Sequence, residues 1–193
     1  MEIGATKAVQ DRLKTTKIEE SKGASLVFCW DTHLTKIKGR NVLFIVNASN
    51  RYTIAMTDIE PRNWNYYAMY IIRVIHGMMQ EMGYSEEQIE QYFKMSGDTT
   101  ITKTHGRKSV GGINRMVMDA QYFGKKLEKE AKYQWELSEY LNRDICQPEG
   151  FDAYGYPSEL FKLDMERLGI AAKREQAKVI DFAQYIENNR GTN

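Results

Sequence analysis

The chain has few cysteines, few prolines and no long apolar run, and each shortage excludes a class of protein. Its only two cysteines, Cys29 and Cys146, lie far apart and form no Cys-x-x-Cys pair, so neither a disulfide framework nor a zinc knuckle is expected. No stretch approaches the roughly 20 apolar residues of a membrane span. Residues 1–17 lack the apolar segment of a signal peptide. We therefore expect a cytoplasmic protein that does not enter a membrane.

The chain also lacks an excess of charge of either sign. It has 27 Lys and Arg residues against 26 Asp and Glu residues, so no overall field would draw it onto DNA or RNA, and nucleic acid is not an expected partner. Apolar residues make up 42% and charged residues 27% of the 193 residues, with three prolines. This composition is typical of a folded, helix-rich protein.

The apolar pattern predicts an α+β fold, in which long amphipathic helices pack on a small antiparallel sheet. Leu26 to Ile37 alternates as a strand does. Asn41 to Val46 and Tyr52 to Met56 are apolar runs separated by turn residues, which predicts a β-hairpin. A helix is expected to begin at Pro61 and to carry one apolar face as far as Met82.

Two parts are predicted along the chain: an α+β domain over residues 1–123 and a helical extension over residues 124–193 that packs on it. A further helix should follow Ser85, which forms a capping-box pattern with Gln88. Residues 145–157 combine helix breakers with aromatic side chains, and we call this segment the aromatic hook. One or two helices are expected over residues 160–186.

The most suggestive chemistry lies between Thr99 and Arg115, a segment that is basic, rich in glycine and free of acidic residues. Thr99 to Thr104 is expected to be a strand, and Gly106 to Gly112 a loop that leads into a helix. Glycines let backbone amides approach a ligand, and the first amides of a helix attract anions. The expected ligand-binding residues here are Lys103, His105, Arg107, Lys108, Ser109, Gly111, Gly112, Asn114 and Arg115.

This segment has a simpler interpretation, which stays open. It contains neither GxxxxGK[ST] nor a GxGxxG that follows a strand. Its charges would then be solvated, and its glycines would only make a turn. His105 beside Arg107 suggests a general base, but no nucleophile or carboxylate pair stands at a recognisable spacing. We therefore predict no catalytic residue and no cofactor.

A second group of reactive side chains lies on the first predicted strand. Cys29, Asp31 and His33 share one face of it, but neighbours along a strand lean apart and no further member of a triad is apparent. We interpret Cys29 as structural and His33 as a surface residue. The three histidines of the chain are scattered, so no metal site is expected.

Several short motifs resemble a bacterial domain family of unknown function. That family has an N-terminal Thr-Lys-Lys-Leu element, a strand with a tryptophan, a Leu-Phe-Val-Asn strand and a late Arg-Ser-x-x-Gly-x-x-Asn segment. The counterparts here are Thr6-Lys7, Trp30, Leu43-Phe44 before Asn47, and Arg107 with Gly111 and Asn114. The resemblance covers residues 5–123, and it implies an α+β fold but no activity. It adds Trp30 to the expected ligand-binding residues.

These observations lead to one preferred hypothesis and several alternatives. The preferred one is a non-catalytic protein that captures a small anionic ligand, such as a nucleotide or signalling nucleotide, at the basic segment. The alternative is a protein-interaction module, for instance a phage-related or host-defence-related inhibitor acting through its C-terminal helices, or a homo-oligomer. A nucleic-acid binder and an uncharacterised enzyme rank below both.

Overall fold

A five-stranded mixed sheet forms the centre of the fold in the computed structural model, which describes residues 1–14 and 18–172. Its strands are β1 (Glu2–Ala5), β2 (Cys29–Ile37), β3 (Arg40–Asn47), β4 (Thr53–Thr57) and β5 (Thr100–Thr102). They lie side by side in the order β4-β3-β2-β1-β5. The predicted α+β class is confirmed, and so is the hairpin, since β3 pairs with β4 in antiparallel orientation.

The sheet is mixed where the sequence predicted an antiparallel one, because β1 runs parallel to both of its neighbours, β2 and β5. No apolar pattern had indicated β1. This strand has only four residues, and Glu2 and Gly4 interrupt its apolar character. It is nevertheless an interior strand, and all four of its residues are buried.

Seven α-helices surround the sheet within the described residues. They are α1 (Lys7–Leu13), α2 (Pro61–Asn65), α3 (Tyr67–Glu81), α4 (Glu86–Ser96), α5 (Gly106–Gln121), α6 (Trp135–Asn142) and α7 (Pro157–Arg167). The predicted start at Pro61 is confirmed, although the helix is interrupted at Tyr66. The capping box is also confirmed, because Ser85 and Gln88 exchange hydrogen bonds of 3.3 and 2.9 Å. In the described part of the chain, no helix is both long and apolar enough to cross a membrane.

Helices cover both faces of the sheet, so the molecule has two apolar layers. One layer holds Trp30, Leu43 and Ile45 against α3, α4 and α7. The other holds Phe44 and Val46 against α5 and α6. A strand buried on both faces is expected to be apolar throughout, and this accounts for the unbroken apolar run in β3. The face that α5 covers carries the candidate site.

The outer edge of β4 is capped by polar side chains of α6. Asn142 bonds both backbone groups of Thr53: its Oδ1 accepts from the amide, and its Nδ2 donates to the carbonyl, each at 2.8 Å. One turn earlier, Ser138 Oγ accepts from the Ala55 amide at 3.0 Å. The backbone groups of an exposed edge strand can pair with other chains, and the side chains of α6 prevent such pairing at β4.

The aromatic hook is a closed loop without regular structure, in keeping with its many helix breakers. Cys146 and Gly155 exchange two backbone hydrogen bonds of 3.0 and 2.9 Å across its neck. The helix that follows is α7, whose Phe161 and Met165 are fully buried in the layer around Trp30. The helix expected beyond residue 172 lies outside the described residues.

Candidate functional site

Polar side chains meet where β1, β2 and the start of α5 converge. Gly4 of β1 pairs with Asp31 of β2, and Glu2 pairs with Cys29. Partnered residues of neighbouring strands point to the same face of a sheet, so these positions all lie on the α5 side. His105 precedes the first residue of α5 and takes the N-cap position. Its ring therefore enters the space between the two strands.

His105 is held between two buried carboxylates. Its Nδ1 lies 2.7 Å from Oδ1 of Asp31, and its Nε2 lies 2.9 Å from Oε2 of Glu2. The exposed fractions of the three side chains are 3% for His105, 0% for Asp31 and 4% for Glu2. The His105 amide also donates to both oxygens of Asp31, at 3.2 Å each. The imidazole is thus fixed in position and orientation.

The electrostatics of this cluster favour a charged histidine. Burial lowers the pKa of His105, but hydrogen bonds to Asp31 and Cys29, together with their charge, raise it to about 10. Burial likewise acts to raise the pKa of Glu2, but hydrogen bonds from Ser21, the Lys22 amide and His105 bring it below its ordinary value. An imidazolium donates a hydrogen bond to each of the two carboxylates and balances one of their two charges in the interior.

Ser109, one turn into α5, completes the cluster. Its hydroxyl donates to Oδ2 of Asp31, so Asp31 accepts from both the serine and the histidine. In a Ser-His-Asp triad the imidazole lies between the other two and takes the proton of the serine. Here the carboxylate lies between them instead. The arrangement therefore differs from a Ser-His-Asp triad, and it orients the Ser109 hydroxyl toward Asp31.

A cleft of about 320 Å³ opens beside Ser109, and we call it the basic cleft. It is lined by Val46, Ala48, Arg51, Lys108, Ser109, Gly111, Gly112, Gln147, Pro148 and Glu149. Arg51 Nη2 donates to the carbonyl of Gly112 at 2.9 Å. Lys108 Nζ donates to the carbonyl of Pro148 at 3.2 Å and lies 3.9 Å from a Glu149 oxygen. Two cations and one carboxylate thus border the cleft.

The predicted loop over Gly106 to Gly112 is wrong, because these residues are the first two turns of α5. Packing of Ile113 and Met116 into the apolar layer stabilises a helix that the glycines alone would disfavour. The amides of Gly111 and Gly112 are consequently occupied within the helix. The His105 amide at the N-terminus of α5 already donates to Asp31. This helix end therefore has fewer free amide donors for an external anion than the sequence suggested.

The structure brings some of the predicted residues together and separates others. Lys108, Ser109, Gly111 and Gly112 line the basic cleft, and His105 lies behind it. Four further predicted residues lie outside the cleft lining: Lys103, Arg107, Asn114 and Arg115. All four are exposed; Lys103 forms an ion pair with Glu20, and Arg115 pairs with Asp119 at 3.2 Å.

Trp30 is not brought to this site. It lies on the opposite face of β2, fully buried, and its Nε1 donates to the hydroxyl of Tyr92 at 2.9 Å. A ligand in the basic cleft would be separated from Trp30 by the sheet.

Several residues of the site had no place among the predicted ligand-binding residues, among them Glu2, Asp31, Arg51 and Glu149. The alternation along β2 correctly placed Asp31 on one face with Cys29. Nothing in the local pattern, however, indicated that His105 would meet it from 74 residues away.

A family model described as "Domain of unknown function (DUF6933)" matches residues 2–160. The predicted relation to a domain family of unknown function is confirmed, and the match is longer than the 5–123 of the resemblance. It includes Glu2, Asp31, His105 and Ser109. No curated protein and no solved structure matches the chain.

Proposed function

The chain belongs to DUF6933, a domain family of unknown function. From its own site, we propose that it is a non-catalytic binding protein for a small anionic ligand such as a nucleotide. The observation that carries this proposal is the convergence of Arg51, Lys108 and Ser109 on one cleft. Ligand sites are concave and hold a few fixed polar groups. The basic cleft has both properties.

Arg51 is the main anchor in this proposal. One of its nitrogens is bound to the carbonyl of Gly112, which fixes the plane of the guanidinium, and the Cys146 thiol interacts with it as well. A guanidinium carries several N–H donors in a rigid fork that matches the two oxygens of a phosphate or carboxylate. A Cβ on Gly112 would lie 2.7 Å from Arg51 Nε, so glycine at this position leaves the guanidinium its space.

Lys108 and Ser109 supply the remaining recognition. Lys108 is exposed, and its ammonium group lies 3.9 Å from the Glu149 carboxylate, so an incoming anion can draw it away at little cost. Ser109 lines the cleft and donates its proton to Asp31, so toward a ligand it offers an acceptor oxygen, which suits a hydroxyl group of the ligand and not its anionic group. The volume of about 320 Å³ is at the lower end of the range of ligand pockets, which suits one phosphate-bearing group and not a large cofactor.

The first test is native mass spectrometry of the protein purified without denaturation, followed by calorimetric titration with ATP and with inorganic phosphate as probes. The double variant Arg51→Ala/Lys108→Ala should weaken binding at least tenfold. Arg107→Ala/Arg115→Ala is the matched control, because it removes the same charge from exposed positions outside the cleft lining. Equal affinities for both variants, or no binding of either probe to the wild type, would reject the proposal.

The aromatic hook supports a second candidate, a protein-interaction module. Ile145, Tyr154 and Tyr156 are 56%, 70% and 50% exposed, and aromatic side chains are enriched at interfaces. Deleting the C-terminal part is not a usable test, because Phe161 and Met165 belong to the core. The double variant Tyr154→Ser/Tyr156→Ser should instead abolish co-purification of a defined protein partner without changing the thermal stability. If the same partner is retained, this candidate fails.

A further inference from the structure

Glu2, Cys29 and His105 form a second chemical site behind the basic cleft. They come from β1, β2 and the start of α5, and their side chains are buried. One carboxylate oxygen, the sulfur and one ring nitrogen all lie within 4.8 Å of one another. Three donor atoms of different kinds thus converge in the interior without belonging to the cleft.

We propose that Glu2, Cys29 and His105 bind a divalent transition-metal ion, with zinc as the ion that this donor set fits best. Zinc accepts thiolate, imidazole and carboxylate ligands in one site, whereas calcium and magnesium prefer oxygen alone. The sequence predicted no metal site because the histidines are scattered. A site with one ligand of each kind needs only one histidine, and its other members are remote in sequence.

Asp31 prepares the histidine for this role. It binds Nδ1 at 2.7 Å and leaves Nε2 directed toward Glu2. Histidines that bind metals commonly use one ring nitrogen in this way while the other donates to a carboxylate, which fixes the tautomer and the ring orientation. Asp31 is itself held by the Ser109 hydroxyl and the His105 amide. The supporting group and the ligand are therefore both fixed.

The present contacts of the donor atoms are compatible with a metal ion. Glu2 accepts from the Lys22 amide through Oε1 at 2.8 Å, which leaves Oε2 facing His105 Nε2 at 2.9 Å. Cys29 Sγ makes long contacts with the backbone, at 3.5 Å to the Ser25 carbonyl and 3.7 Å to the Ala24 carbonyl. Tetrahedral zinc ligands lie about 3.5 Å apart, so the nitrogen–oxygen pair would open by about half an ångström.

A bound ion would link two adjacent interior strands to the N-cap residue of α5, the helix that borders the basic cleft. Binding would release to solvent the proton shared by His105 and Glu2 and the thiol proton of Cys29, and the ion would then join β1, β2 and α5 through one centre. Structural zinc contributes its binding energy directly to folding. We therefore expect the ion to stabilise the fold and the position of α5, independently of whether the cleft holds a ligand.

The test is metal analysis of the full chain, purified without chelators and again after dialysis against EDTA and reconstitution with zinc. Wild type should hold about one zinc ion per chain, and loss of the ion should lower the melting temperature. Cobalt in place of zinc should give a thiolate-to-metal charge-transfer band in the near ultraviolet. Cys29→Ser should abolish the band, and Asp31→Asn should weaken metal affinity by about 10- to 100-fold.

Cys146→Ser is the matched control, because Cys146 is the other buried free cysteine and lies outside this site. It should keep the ion and the cobalt band. The proposal is overturned if reconstituted wild type holds no zinc and gives no cobalt band, or if Cys29→Ser retains both. The wild-type measurements decide the question even if Cys29→Ser does not fold. Arg51→Ala/Lys108→Ala should keep the metal. Metal binding and anion binding can therefore fail independently, and the two proposals are tested separately.

Discussion

Gly4 lies so close to Asp31 across the β1–β2 pairing that a Cβ atom on Gly4 would stand 1.8 Å from Oδ1 of Asp31. The same atom would lie 3.1 Å from Nδ1 of His105. Non-bonded carbon and oxygen atoms do not approach each other so closely, so the space that a side chain would fill at position 4 belongs to the carboxylate–imidazole pair. The site therefore depends on a residue that contributes no functional group to it.

Gly4→Ala should accordingly destabilise the protein. The extra methyl group would push Asp31 away from His105 inside a closely packed region, and overpacking of this kind costs about 1–3 kcal/mol or more. Gly111→Ala is the control: this residue is exposed in α5, a Cβ added to it would meet no atom within 4 Å, and alanine should raise the stability by up to about 1 kcal/mol. Urea denaturation measures the free energy of unfolding of both variants. If Gly4→Ala were as stable as wild type, Asp31 would be able to relocate freely.

Asn142→Ala should expose the edge of β4. The substitution leaves the amide and the carbonyl of Thr53 without the partners that Asn142 provides, and an unsatisfied buried group costs about 1–3 kcal/mol. We expect a loss of about 2 kcal/mol or more in the free energy of unfolding, together with a greater tendency to aggregate. Asn114→Ala, at an exposed position of α5, should change neither. An equal loss in the two variants would contradict the edge-capping role of α6.

Tyr92→Phe should weaken the layer around Trp30. The Tyr92 hydroxyl accepts from Trp30 Nε1 at 2.9 Å and donates to the carbonyl of Val27 at 2.7 Å, and all three groups are buried. Without the hydroxyl, the buried Nε1 of Trp30 loses its partner and the Val27 carbonyl keeps only the bond from Asn47 Nδ2 at 2.9 Å, at a cost of about 1–3 kcal/mol in the free energy of unfolding. Tyr122→Phe, where the side chain is 79% exposed, is the control and should be neutral. Thermal denaturation of both variants would disprove the expectation if their melting temperatures were the same.

The parts of the fold that follow from neighbouring residues were predictable. The β3–β4 hairpin needs only two apolar runs and a turn between them, and the start of α4 needs only Ser85 and Gln88. Alternation, capping and turn geometry each depend on residues that are close in sequence, so they can be recognised without knowing the rest of the fold.

The candidate site was predictable only in part, because it is assembled from distant segments. His105 meets Asp31 from 74 residues away and Glu2 from 103 residues away. The strand that carries Glu2 is too short to show a pattern, and parallel pairing leaves no turn signal between the partners. The glycines of α5 pointed to a loop, whereas packing of that helix against the sheet overrides their weak helix propensity.

His33, which the sequence placed on the surface, is half-buried and should make stability depend on pH. Burial lowers its pKa below the ordinary value of 6.5, so the folded protein favours the neutral ring, whose Nδ1 lies 3.2 Å from Thr6 Oγ1. The unfolded chain then binds the proton more readily, and stability falls as pH drops below 6.5 toward the folded pKa. Urea denaturation at about pH 7.5 and about pH 5.5 should show a smaller pH-dependent loss for His33→Gln than for wild type. Identical losses in the two proteins would mean that the ring protonates as easily in the folded state as in the unfolded one.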